Sequence, residues 1–293
     1  MVNRAVYHTV SMAEDVANWL NQSQHVHVLN RFDKACNLIN EHGAVISIVT
    51  AEIGNGPLNM VLPVPALPPI TEGTVVHCDH AQLIAPSWVI HTDKAALWDA
   101  TLPPADNVQF QTIIQIAKQV LRGYPDSLAQ PYLLLPASES RFQNTVLRHI
   151  AEAAALVLKA IANYDDVALV AAVTGLAGKG FGLTPSGDDW LLGCLVALHL
   201  TKRHDQAQLM AQESSSRTTP LSGAILHMAG QRKCSQPWHA LVHAKTTEQT
   251  RTAIKIIARH GHSSGADALT GFVQMLECLS QPTFTTPIRT EFA

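Results

Sequence analysis

Two adjacent aspartates stand at the end of a glycine-rich loop, immediately before an apolar run. The stretch reads GKGFGLTPSGDDWLLG and covers residues 178–193. One carboxylate is enough to cap a helix, so the second is available for other chemistry. Carboxylate oxygens bind Mg²⁺, and a carboxylate can also transfer a proton. We therefore interpret Asp188 and Asp189 as candidate catalytic residues and as candidate Mg²⁺ ligands.

The residues around these aspartates are suited to holding an anion. Glycine allows the backbone to approach a ligand closely, and the start of a helix presents unpaired N–H groups to an anion. The candidate ligand-binding residues here are Gly180, Gly182, Thr184, Ser186 and Gly187. The loop lacks the GxxxxGK[ST] spacing of a P-loop, and no GxGxxG follows a strand, so no nucleotide cofactor is predicted.

The motif occurs a second time in the chain. Ser186-Gly187-x-Asp189-x-x-x-Gly193 returns as Ser264-Gly265-x-Asp267-x-x-x-Gly271. We predict that Ser263, Ser264 and Asp267 form the opposite wall of the ligand site. A simpler interpretation also holds for each copy, because Ser-x-x-Asp before an apolar run caps a helix. The spacing alone leaves both interpretations open.

The first third of the chain shows the pattern of short strands. The segments are rich in β-branched residues and separated by turn signals, which is typical of a small barrel or sandwich. Predicted strands cover residues 25–30, 44–50, 58–63, 74–79, 81–86 and 88–92. A helix over residues 11–21 is predicted to pack on this unit.

The rest of the chain shows helical periodicity and helix-capping residues. Helices are predicted over residues 107–122, 140–163, 189–203, 220–233, 238–245, 247–260 and 267–279. The sequence therefore predicts an α+β fold. A β-rich N-terminal domain, barrel- or sandwich-like, covers residues 1–103, and a helical bundle that carries the glycine-rich motif covers residues 104–293.

The composition excludes several classes of function. The net charge is −3 and the longest basic clusters have two residues, so we predict no nucleic-acid partner. The N-terminus lacks the features of a signal peptide, and the apolar runs are shorter than the 18–20 or so residues of a membrane span. We therefore predict a cytoplasmic protein without a membrane partner. Charged residues make up only 15%, which predicts a surface partly covered by other subunits.

The histidines and cysteines do not form a recognisable metal motif. The chain has 15 histidines, and His239 and His243 share a helical face, but the glutamate of HExxH is absent. The five cysteines are scattered without a CxxC pair. No transition-metal site is predicted, which leaves Mg²⁺ as the one cofactor considered.

Three segments together resemble a known family. GKGFGLTPSGDDWLLG, TTPLSGAILHMAG and GHSSGADALTG are similar to segments of a bacterial family now associated with the AllH subunit of oxamate carbamoyltransferase. The resemblance implies a role in allantoin and purine nitrogen breakdown, where oxalurate and phosphate give oxamate and carbamoyl phosphate. It also implies work with other subunits, one of them similar to acyl-CoA synthetases.

Three functions follow as alternatives. The first is a subunit of a carbamoyltransferase complex that acts on a small anionic substrate. The second is a non-catalytic subunit that binds a small anion or stabilises its partners. The third is a free-standing Mg²⁺-dependent hydrolase that uses Asp188 and Asp189.

Overall fold

The N-terminal region is one mixed sheet curled into a half-barrel. The computed structural model describes residues 4–79, 81–105, 108–136 and 140–280, and these residues form ten strands and eleven helices. The strands are β1 (Ala5–His8), β2 (Ser11–Ala13), β3 (His25–Arg31), β4 (Ala35–Asn40), β5 (Val45–Thr50), β6 (Asn59–Leu62), β7 (Val75–Asp79), β8 (Gln82–Ile84), β9 (Trp88–His91) and β10 (Ala96–Trp98). Their order in the sheet is β1-β9-β8-β7-β3-β4-β5-β6-β2-β10. The α+β fold class is confirmed.

The strands in the middle of this sheet show burial patterns that follow from their sequences. Val26 and Val28 of β3 point into the core, while the alternate residues His25 and His27 are exposed. Every residue of β5 is buried, and it lies between β4 and β6. Such a continuous apolar run is typical of a strand covered on both faces.

The predicted helix over residues 11–21 is wrong at its start. Ser11–Ala13 forms β2, which pairs with β6 and β10, and the helix α1 covers only Glu14–Gln22. Met12 and Ala13 are buried by this pairing, so the sheet contacts outweigh the local helical preference. The strands β1, β4 and β10 were not predicted either.

The C-terminal region is a helical bundle. Its helices are α2 (Phe110–Leu121), α3 (Ala129–Leu133), α4 (Arg141–Ala162), α5 (Asp166–Leu176), α6 (Ser186–Leu200), α7 (His204–Ser215), α8 (Pro220–Gly230), α9 (Gln236–His243), α10 (Thr247–Ala258) and α11 (Ser264–Ser280). All seven predicted helices are present with shifted ends, although the predicted start of the first, Asn107, lies outside the described residues. The helices α3, α5 and α7 have no counterpart among these seven.

The sheet and the bundle contact each other directly. Lys233 forms an ion pair with Asp15 of α1 at 2.6 Å, and the Cys234 amide donates to the Ala100 carbonyl at 2.9 Å. Each region nevertheless has its own core of buried apolar side chains. The predicted domain boundary near residue 103 stays a prediction.

Candidate functional site

The two copies of the repeated motif form a pair of parallel helices. A Cβ atom on Gly193 of α6 would lie 1.8 Å from the Ala268 carbonyl oxygen of α11. A Cβ atom on Gly271 would lie 2.0 Å from the Trp190 carbonyl oxygen. Trp190 and Ala268 occupy the same place in the two copies, so the two contacts are equivalent. The repeat is therefore a helix pair with approximate local two-fold symmetry, in which glycine permits backbone contact.

The aspartates shared by the two copies lie together inside this pair. Asp189 is 7% exposed and Asp267 is fully buried. The Leu128 amide donates to Oδ1 of Asp267 at 2.6 Å. The second oxygen, Oδ2, of each carboxylate is buried and accepts no hydrogen bond of normal geometry from the described residues. Two carboxylate oxygens in one buried place thus lack a hydrogen bond of normal geometry, which is costly unless something else binds them.

Burial raises the pKa values of both aspartates. Loss of solvent is the main cause of the raised pKa of Asp189, and the charge of Asp267 adds to it. The Ser264 and Thr184 hydroxyls oppose the shift in the pKa of Asp189. Loss of solvent raises the pKa of Asp267 to about 7, against the Leu128 amide and nearby serine hydroxyls. The fold therefore disfavours two bare negative charges at this position.

Four hydroxyl groups surround the carboxylate pair and are themselves half-buried. The Thr184 and Ser264 hydroxyls are hydrogen-bonded to each other at 2.9 Å, and both lie near Asp189. The Ser186 and Ser263 hydroxyls lie near Asp267. The repeat exchanges these contacts as well, because the serine that begins each helix approaches the aspartate of the other. The structure thus brings Thr184, Ser186, Ser263, Ser264, Asp189 and Asp267 together.

Asp188 has a different environment from its neighbour. Its Oδ1 accepts from the Gly178 amide at 2.8 Å, and its Oδ2 accepts from the Ser222 hydroxyl at 2.9 Å and from the Thr218 hydroxyl. Burial raises the pKa of Asp188, and these three donors oppose the shift. These contacts indicate that Asp188 ties the glycine loop to the start of α8. Its predicted roles in catalysis and Mg²⁺ binding have no support from its contacts and stay predictions.

The site residues missed by sequence reasoning belong to the start of α8 and to the segment before α3. Thr218 and Ser222 hold Asp188, and the Leu128 amide holds Asp267. A third Ser-Gly pair, Ser222-Gly223, was a signal for the α8 contribution. A backbone amide such as that of Leu128 leaves no signal in a sequence.

The backbone amides of the glycine loop lack acceptors among the described residues, whereas most of those at the start of α6 have one. Gly187, Asp188 and Asp189 all donate their amides within the loop–helix junction, to the Lys179 or Pro185 carbonyl. By contrast, the amides of residues 180–184 reach no acceptor among the described residues. Most of this loop is exposed. Among the described residues of this junction, the amides without an acceptor are therefore those of the loop in front of α6 and that of Ser186, the first residue of the helix.

The glycines of this loop have separate roles. Gly180 and Gly182 have φ values of +125° and +81°, which favour glycine. A Cβ atom on Gly180 would lie 2.5 Å from the Ser186 amide nitrogen, whereas a Cβ atom on Gly182 would meet nothing within 4 Å. Gly187 is a packing position, because its Cβ would lie 2.6 Å from the Leu176 carbonyl oxygen. Gly182 is thus required for the loop conformation alone.

Comparison with known families identifies the chain. A model described as oxamate carbamoyltransferase subunit AllH matches residues 176–276, and a model of the AllH family N-terminal domain matches residues 8–101. The chain belongs to the AllH family. The family name is that of one subunit of a multi-subunit enzyme. No solved structure matches the chain significantly.

The AllH match over residues 176–276 contains both copies of the motif, the glycine loop and the start of α8. The Leu128 amide, which holds Asp267, comes from outside both matched regions. In the described part of the chain, no three His, Cys, Asp or Glu side chains are grouped as metal ligands. None of the helices described here combines the length and apolarity of a membrane span.

A separate cleft of about 410 Å³ lies between the sheet and α8. Trp19 of α1, Val45 and Ile46 of β5, and Ala224 and Met228 of α8 are among its lining residues. None of the predicted site residues lines it. The repeated motif and this cleft are therefore distinct places on the molecule.

Proposed function

We propose that the chain is the subunit of an oxamate carbamoyltransferase that binds the phosphate-bearing anion. The reaction is the conversion of oxalurate and phosphate into oxamate and carbamoyl phosphate, in allantoin and purine nitrogen breakdown. The observation that supports a binding role is the run of amides at residues 180–184, none of which has an acceptor among the described residues. Successive free amides in a glycine-rich turn are a common way of holding an anion.

The chemistry of this reaction needs an anion site more than a nucleophilic side chain. A phosphate oxygen forms a bond to the ureido carbonyl carbon of oxalurate, and the bond from that carbon to the oxamate nitrogen breaks. The proton of hydrogen phosphate passes to the departing nitrogen, so atoms and charge balance. Backbone N–H groups fixed around the phosphate and the carbonyl oxygen stabilise the charge that develops.

Within this proposal, the carboxylates of Asp189 and Asp267 lie next to the bound anion. Thr184 is the last residue of the loop with a free amide, and its hydroxyl lies near Asp189. Asp189 rather than Asp188 is then the aspartate placed to act at the ligand, because both oxygens of Asp188 already accept hydrogen bonds. The other subunits of the complex, including one similar to acyl-CoA synthetases, are the proposed partners.

Gly182 offers a sharp test of the anion site. Alanine at φ +81° is strained, but its Cβ would meet nothing, so Gly182→Ala changes the loop without a clash. We expect calorimetric titration with carbamoyl phosphate to show affinity reduced by about tenfold, which corresponds to the strain of roughly 1–2 kcal/mol in this conformation. Gly73→Ala is the matched control, since Gly73 has φ +75° in a β-turn with open space around it.

The outcome of this titration separates the proposed functions. Equal affinity in wild type, Gly182→Ala and Gly73→Ala would contradict a binding role for the loop. If carbamoyl phosphate binds but no turnover is found after reconstitution with the partner subunits, the chain is a non-catalytic anion-binding subunit. Release of phosphate from carbamoyl phosphate by the isolated chain with Mg²⁺ would instead favour a free-standing hydrolase.

A further inference from the structure

We propose that Asp189 and Asp267 together bind one divalent cation, with Mg²⁺ as the preferred ion. The site is defined by Oδ2 of Asp189, Oδ2 of Asp267 and the hydroxyls of Thr184 and Ser264. Both Oδ2 atoms are buried and lack a donor among the described residues. They belong to facing helices whose N-termini lie at the same end of the pair.

Among the residues that the structure describes, no basic side chain forms an ion pair with either carboxylate. Two negative charges in a region of low dielectric repel each other strongly, and the loss of solvent adds to this cost. A divalent cation between the two Oδ2 atoms would satisfy both oxygens and cancel the repulsion.

The surrounding oxygens fit a hard cation. The Thr184 and Ser264 hydroxyl oxygens lie 2.9 Å apart, and both lie near Asp189. Mg²⁺ is usually held by one or two carboxylates, retains several waters and completes its octahedron with a phosphate of the substrate. Two carboxylates and two hydroxyls would leave positions for water or for an anion held at residues 180–184.

This assignment differs from the one that the sequence suggested. Asp188 and Asp189 are adjacent in the chain, but the oxygens of Asp188 are already bound by Gly178, Thr218 and Ser222. The partner of Asp189 is Asp267, which is far away in sequence and comes from the second copy of the motif. The cation site does not depend on the transferase reaction and can be tested without it.

The test is metal binding to the full chain after treatment with EDTA and gel filtration. Mg²⁺ would be titrated by calorimetry, and Mn²⁺ by electron paramagnetic resonance as an independent probe. We expect one site per chain, and we expect Asp189→Asn and Asp267→Asn each to weaken binding by more than about tenfold. Asp166→Asn is the matched control, because Asp166 is an exposed acid in the first turn of α5.

Two further variants keep the proposal testable if an aspartate variant does not fold. Thr184→Val and Ser264→Ala remove one neutral ligand each and should weaken Mn²⁺ binding several-fold. No binding by wild type, or full binding by all four variants, would overturn the proposal. In the absence of binding, the infrared carbonyl band of a protonated carboxyl at neutral pH would show that the pair shares a proton instead. If the cation site is overturned but carbamoyl phosphate still binds to the metal-free chain, the proposed function is left intact.

Discussion

The starts of α6 and α11 share a motif but differ in what surrounds it. Both begin with Ser-Gly, both bury an aspartate three residues after the serine, and both contact the other helix through a glycine. Only the α6 copy is preceded by a loop with several glycines, and only it has a second aspartate, where α11 has Ala266. The residues common to both copies form the helix pair and supply its buried carboxylates. The residues found only in the α6 copy form the glycine loop and connect it to α8.

The difference at one position shows why the two copies are not interchangeable. Asp188 is surrounded by three donors from the loop and from α8. Ala266, at the equivalent position of α11, is fully buried in the apolar core of the bundle. A carboxylate can be buried at one copy because donors are already in place there.

The largest expected effect is a loss of stability, and it comes from the glycines that both copies of the motif share. Gly193→Ala places a Cβ atom 1.8 Å from a carbonyl oxygen of the other helix, and Gly271→Ala places one at 2.0 Å. Both distances are far shorter than a van der Waals contact. Overpacking at a backbone contact forces the helices apart, so we expect each variant to lose about 3–5 kcal/mol of unfolding free energy. Urea unfolding followed by circular dichroism measures this loss.

Because the helix pair has approximate two-fold symmetry, the two variants should lose similar amounts of unfolding free energy. Gly175→Ala is the control, since Gly175 is also in a helix but a Cβ there would meet nothing within 4 Å. Alanine is the better helix former by up to about 1 kcal/mol, so this control should be neutral or stabilising. A loss confined to Gly193→Ala would contradict the two-fold arrangement.

The second effect concerns the paired carboxylates and pH. The pKa of Asp267 is about 7 in the folded protein, against 3.8 for an ordinary aspartate. The folded state therefore retains a proton that the unfolded state loses, and the contribution to stability decreases as the pH rises from about 4 to about 7. Without divalent cations, the loss from this residue is up to about 4 kcal/mol.

Asp267→Asn isolates this contribution. The difference in unfolding free energy between the variant and wild type, both in EDTA, should move in favour of the variant between pH 4 and 7. Excess Mg²⁺ should suppress the slope of wild type, since a bound cation favours the ionised carboxylates. A flat Asp267→Asn difference would contradict a raised pKa.

The sequence allowed the fold class and most of the helices to be predicted, because capping residues and helical periodicity are local signals. Thr246 and Gln249, for example, form a capping box at the start of α10. The short strands β2 and β10 could not be predicted, because their formation depends on pairing with each other and, for β2, with the distant β6. Element boundaries that depend on tertiary pairing leave little trace in local composition.

Several of the predicted residues lie together in the structure, but their pairings were not predicted. The repeat indicated that Asp189 and Asp267 are equivalent, yet adjacency in sequence suggested Asp188 as the partner of Asp189. Adjacent residues in a helix point in directions about 100° apart, so they seldom share a ligand. Which aspartate faces which follows from the packing of α6 on α11 through Gly193 and Gly271, and a single sequence does not specify that packing.

The smallest of the three effects concerns Asp188, the aspartate that the α11 copy lacks. Asp188→Ala leaves the Gly178 amide and the Thr218 and Ser222 hydroxyls without their acceptor in a buried place. An unsatisfied buried donor costs about 1–3 kcal/mol, and relaxation of the loop recovers part of the sum, so we expect a loss of about 3 kcal/mol. Because the loop is then held to the start of α8 by the Thr219–Leu183 hydrogen bond without the contacts of Asp188, carbamoyl phosphate binding should weaken as well.

Ser222→Ala removes one of the three donors and keeps the carboxylate, so it is the matched control for Asp188→Ala. It should cost about 1 kcal/mol and leave the loop attached through Gly178 and Thr218. If Asp188→Ala lost anion binding at unchanged stability, Asp188 would be a ligand-contacting residue and not an anchor of the loop. If it lost stability but kept full anion binding, the loop would hold its conformation without α8, and the distinction between the two copies would lie in residues 178–184 alone.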